Sequence, residues 1–158
     1  MMIRPRVATL LLLLLIAACS PVRHVFPPDV GIQQLHSDAD GRWTLTLRLN
    51  NYSYDATVVF RHIDATLAIG SETAGHLDAR TDIAVAARSA DVVEVTLQPA
   101  ASAQTVLAAL GNDGGRSLHY TLTGTVTVGD ERGGKEQRFP FDHDDALSPV
   151  PGIPATYR

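Results

Sequence analysis

The chain has 158 residues, with 13 basic and 17 acidic side chains, a single cysteine and a formal net charge of −4. That length suits one folded domain. The negative balance disfavours adhesion to nucleic acid by charge, and a lone thiol leaves no internal disulfide.

Residues 1–18 have three parts: a basic start with Arg4 and Arg6, an apolar run from Val7 to Ile16, and the small pair Ala17-Ala18. This is the layout of a secretory signal peptide. The uncharged stretch is too short to serve as a spanning helix, which needs ~20 residues. Ile16-Ala17-Ala18-Cys19 resembles a bacterial lipobox, with cleavage expected between Ala18 and Cys19 and acyl chains on Cys19. Several buried acyl chains at ~0.8 kcal/mol per methylene make such an anchor effectively permanent. Ser20 at the following position resembles lipoproteins sorted to the outer membrane of Gram-negative bacteria, facing the periplasm; retention at the inner membrane is the lesser expectation. Without Arg4 and Arg6 the mature chain keeps 11 basic and 17 acidic side chains, a balance of −6. Binding to anionic lipid by charge alone is therefore disfavoured.

Residues 19–28 include "PVRHVFPP" and read as an extended tether. Residues 29–145 then follow a period of two. In "GRWTLTLRLNN", Trp43, Leu45, Leu47 and Leu49 face one way and Thr44, Thr46 and Arg48 the other, the pattern of a half-buried strand. "TVVFRHIDATLAIG" changes parity between Phe60 and Ile63, which predicts a bulge near Arg61-His62. "DVVEVTLQP" alternates until Pro99. "SLHYTLTGTVTVG" places Tyr120, Leu122, Val126 and Val128 opposite a threonine-rich face. Further strands are expected near Val30 to Leu35, Ile83 to Ala87 and Lys135 to Asp142, the last at a sheet edge because of Pro140. "AASAQTVLAALG" is the one expected helix, with Val106, Leu107 and Leu110 on its apolar side and Gly111 at its end. "GDERGGKEQ" reads as a hairpin loop. Residues 146–158 hold three prolines and are expected to form a C-terminal tail or wrap. The fold class is all-β: an immunoglobulin- or fibronectin-III-like sandwich of about seven antiparallel strands with one short helix.

No G-x-S-x-G, P-loop or H-E-x-x-H pattern occurs. No catalytic residue or cofactor is assigned, and a non-enzymatic protein is expected. The cluster "FDHDD" offers Asp142, His143 and Asp144 as oxygen and imidazole donors for a divalent cation; a solvated acidic turn is the favoured account, and no metal is assigned. His62 and Asp64 stand two apart and would form a pair along one strand face. Tyr52 and Tyr54, in "NNYSYDA", either contact a partner or pack over the end of the sandwich.

The order of "TLTLRLNN", "FRHIDATLAIG", "DVVEVTLQP", "SAQTVLAAL" and "HYTLTGTVTV" resembles the late embryogenesis abundant type 2 (LEA-2) domain, also called the water-stress and hypersensitive-response (WHy) domain, over about Val30 to Phe141. Its Asn-Pro-Asn motif corresponds here to Asn50 and Asn51 followed by Tyr52, with the proline missing. Asn50 and Asn51 are expected to serve the turn through side-chain bonds to backbone. The resemblance implies a sandwich without established catalytic residues, linked to desiccation, cold and osmotic stress. The expected partners are the membrane, through the lipid, and client or envelope proteins. An adaptor that binds a protein through a sheet edge or loops is the alternative.

Overall fold

The architecture follows from that alternation, since strands with one apolar face must bury it against another layer. The computed structural model describes residues 25–112, 116–131, 133 and 135–158. Its described elements are β1 (Asp29–Ser37), β2 (Trp43–Asn51), β3 (Val58–Ile69), β4 (Glu72–Val85), β5 (Ser89–Leu97), α1 (Ala101–Asn112), β6 (Leu118–Asp130), β7 (Gln137–Leu147) and β8 (Thr156–Tyr157). Two four-stranded antiparallel sheets, ordered β5-β2-β1-β8 and β4-β3-β6-β7, pack face to face as an all-β sandwich.

Trp43, Leu45, Leu47 and Leu49 are fully buried between the layers, opposite Ile63, Leu67, Leu122 and Val126. The expected bulge lies at Arg61, where the register of β3 against both β4 and β6 shifts between Phe60 and His62. Helix α1 closes one end of the sandwich. Ala103, Leu107 and Leu110 face inward, and the Tyr157 hydroxyl donates to the Leu107 carbonyl at 3.2 Å. Gly111 lies within the helix, which runs on to Asn112.

Two segments differ from the sequence reading, and a third takes one of its two alternatives. β4 is a 14-residue strand rather than a short one near Ile83 to Ala87. It lies at the edge of its sheet, so few of its side chains need to be apolar. The boundary placed at residue 145 falls inside β7, which continues to Leu147. The Pro-rich residues 146–158 are an ordered wrap: Thr156 and Tyr157 pair with His36 and Leu35 of β1, and both are buried.

A polar seam ties the sheets together. Tyr120 of β6 reaches across to β1, where its hydroxyl accepts from Ile32 N–H at 2.9 Å and donates to Ile32 C=O at 3.3 Å. The His143 ring lies against Tyr120, with centroids 6.0 Å apart, and its Nδ1 is 3.0 Å from Asp29 Oδ2. Gly31 is small for a reason: a Cβ there would stand 2.7 Å from His143 Cε1.

Burial pushes the Tyr120 phenol up from 10.0 to about 12. A phenol that holds its proton more tightly when folded contributes stability below pH 10, and the fold loses that stability as pH rises toward 12. The expected loss from this group is about 2 kcal/mol at the upper end of that range. Tyr120→Phe should flatten the alkaline limb of a denaturant-stability profile. It should also lower stability at neutral pH by about 1–2 kcal/mol, because Ile32 N–H loses its partner.

Candidate functional site

Ala18 and Cys19 lie outside the described residues. Among the described residues no helix is long and apolar enough to cross a membrane. Two surfaces carry the remaining candidates.

The first is the outer face of the β4-β3-β6-β7 sheet. Because side chains alternate, Thr121, Thr123, Thr125 and Thr127 of β6 point away from the core. Register sets Thr123 beside Thr66 of β3 and Asp142 of β7, and Thr125 beside Asp64. Asp64 and Asp78 stand directly opposite each other, an arrangement that repels unless each finds a counter-group. Asp78 takes His62 at 2.7 Å and Asp64 takes His76 at 3.3 Å. The hydrogen bond from His62 holds the Asp78 carboxyl below its ordinary range. His62 and Asp64 thus pair across strands, not with each other as their spacing suggested. Thr123 Oγ1 donates to Asp142 at 3.0 Å, and His119 lies 3.4 Å from Asp144. The result is a polar lattice of hydroxyls, carboxylates and imidazoles four strands wide.

The same alternation separates the metal candidates. Asp142 and Asp144 belong to the outer face, whereas His143 turns inward to Tyr120 and Asp29. No group of three His, Cys, Asp or Glu side chains among the described residues is placed to hold a metal ion.

The second surface is the end opposite the helix, where the tether enters. Asn51 is its keystone and is 1% exposed. Its Nδ2 donates to the carbonyls of Ala56 (2.8 Å), Val85 (3.0 Å) and Ala86 (3.1 Å), and its Oδ1 accepts from Ser53 N–H (2.9 Å). Ser53 in turn accepts at Oγ from Phe26 N–H (3.1 Å) and at its carbonyl from Arg88 N–H (3.0 Å). One buried asparagine therefore joins the β2–β3 loop to the β4–β5 turn, and Ser53 extends the lock to the incoming chain. Asn50 plays a different part, accepting from Arg48 Nε at the surface.

Around this keystone Tyr52 and Tyr54 are exposed rather than packed over the end, at 56% and 69%. Phe26 meets Tyr54 edge to face with centroids 5.5 Å apart, and the Arg88 guanidinium lies 5.8 Å from the centre of the same ring. Arg88 holds a φ of 55°, a conformation unusual for a residue with a side chain. Tyr52, Tyr54, Arg88 and Arg48 border an open cleft of about 500 Å³. Sequence spacing pointed to Asn51, Tyr52 and Tyr54; Arg88 and Phe26 join them through long-range hydrogen bonds and ring contacts that spacing does not show.

These features define a two-layer antiparallel sandwich with a polar outer sheet face and an aromatic-arginine end. No family model matches the chain, and no curated protein matches it. Among solved structures, it is similar in fold to AT1g01470 from Arabidopsis thaliana, determined in solution, with a TM-score of 0.50 and 14% identity over 87% of both chains. A protein from Archaeoglobus fulgidus gives a TM-score of 0.44 and 10% identity, covering 80% of this chain and 98% of that one.

Proposed function

We propose that this chain is a non-enzymatic lipoprotein with a LEA-2/WHy-like domain, held by acylated Cys19 at the periplasmic face of the outer membrane and protective in desiccation, cold or osmotic stress. The observation that carries the reading is the outer face of the β4-β3-β6-β7 sheet. Its threonines and cross-strand His–Asp pairs offer donors and acceptors at strand spacing, with little apolar surface to drive aggregation. Such a face can take over hydrogen bonds that neighbouring proteins and headgroups lose when water is withdrawn. Two residues within the stretches that carry the resemblance also have physical work in this fold: Asn51 ties the β2–β3 loop to the end of β4, and Gly124 admits the backbone of β3. The test is to dry a labile enzyme with the mature protein, which should preserve more activity than an equal mass of an unrelated β-sandwich.

A second reading, an envelope adaptor, is favoured by β5. Among the described strands it pairs only with β2, lies at the edge of its sheet, and is exposed from Ser89 to Val92. A free backbone edge of this kind can accept a partner strand. Crosslinking in cells to one stoichiometric protein would support the adaptor; a diffuse pattern would count against it.

A further inference from the structure

We infer that the aromatic-arginine end of the sandwich docks on the phospholipid surface to which the chain is anchored, seating Tyr52, Tyr54 and Phe26 among the headgroups. The inference rests on the lipid anchor proposed above and adds a contact face to it.

Three observations carry it. The described chain begins at Val25, and Phe26 is bolted to Ser53 on this same end. Cys19 to Val25 is a short span that can extend at most about 20 Å, so this end cannot stray farther than that from an anchored lipid. Next, exposed large apolar side chains gather here: Phe26 at 43%, Tyr52 at 56% and Tyr54 at 69%, with Val92 at 42% beside Arg48. Of the exposed large hydrophobics among the described residues, Ile153 alone lies toward the helix-covered end. Amphipathic aromatic rings are the side chains that settle at headgroup level, apolar body inward and hydroxyl toward water.

The third observation is charge. Arg48 and Arg88 make no ion pair with a carboxylate among the described residues. Arg48 bonds Asn50, and Arg88 lies over Tyr54. Both guanidiniums are thereby free to meet phosphate oxygens. Asp55 in the same loop and Asp91 beside Arg48 offset part of this charge. Aromatic insertion therefore leads and the arginines orient, in agreement with the acidic balance of the whole chain.

The test uses the full-length acylated protein in vesicles of phosphatidylcholine and phosphatidylglycerol, with and without brominated acyl chains. Tyr52→Trp and Ile153→Trp variants report the two ends, and native Trp43, fully buried, supplies a constant background. Quenching about twofold greater for Tyr52→Trp than for Ile153→Trp is expected if the rings reach the headgroup–acyl boundary. Equal quenching in protein whose acylation is verified by mass would overturn the docking and leave the anchor standing. Absence of acyl chains on Cys19 in protein isolated from its membrane would remove the anchor and the docking together. A stoichiometric protein adduct from a photocrosslinker at position 52 in cells would assign this face to a protein partner and overturn the lipid contact.

Discussion

Gly124→Ala is expected to lower the stability of the domain by about 3 kcal/mol, at the severe end for adding a single methyl group. Gly124 lies on β6 opposite Ala65 of β3. A Cβ at this position would fall 2.5 Å from Ala65 Cα and 2.7 Å from Ala65 Cβ, and closer still to the Asp64 carbonyl oxygen. Backbone cannot swing aside as a lysine tip can, so the central strand pair would have to separate. Because β3 and β6 are the two inner strands of their sheet, the damage should be global. Chemical denaturation is the check, with Thr123→Ala as a surface control expected to change stability by roughly 0.5 kcal/mol or less beyond its strand propensity. Equal stability of Gly124→Ala and wild type would mean that the strands do not approach so closely.

Asn51→Ala should cost about 3 kcal/mol, by a different route. The substitution strands the Ser53 N–H and leaves the Ala56 and Val85 carbonyls without their side-chain donor in a buried setting. Asn51→Asp separates hydrogen bonding from shape. Its carboxylate still accepts from Ser53 but faces three carbonyl oxygens, so the variant should be least stable at neutral pH and recover as acid protonates it. Both variants should speed amide exchange in the Tyr52–Thr57 loop while α1 stays protected. Loss of protection spread evenly over the domain would show that Asn51 is not a local keystone.

How far the sequence disclosed this molecule depended on burial. β2 and β6 were legible because each has one fully buried face and one polar face, so period two is written plainly in Trp43 to Leu49 and in Tyr120 to Val128. The change of parity around Arg61 disclosed the bulge for the same reason. β4 was hidden because an edge strand need not be apolar: Ala74, Leu77 and Val85 are its buried hydrophobics. β8 was hidden because a two-residue strand has no period; the buried Tyr157 and its bond to Leu107 hold it in place.

The candidate site was legible by residue type and illegible by partner. Asparagines before an aromatic turn pointed to a side-chain–backbone lock, but the Val85 carbonyl that Asn51 holds is 34 residues away. The cluster around His143 could not be divided in advance because spacing does not disclose which face a strand residue takes. Once the register is known, period two sends His143 to the seam and its neighbouring aspartates to the outer face.

The central claim is that the polar outer face protects molecules beside it when water is withdrawn. The most direct measurement is the residual activity of a labile enzyme after drying with equal masses of three proteins. These are the mature chain, an unrelated β-sandwich, and a variant with Thr121, Thr123, Thr125 and Thr127 all replaced by alanine and shown to be folded. The account predicts that the native chain protects best and that the variant falls toward the unrelated sandwich. Protection by the native chain no better than that of the unrelated sandwich would contradict it.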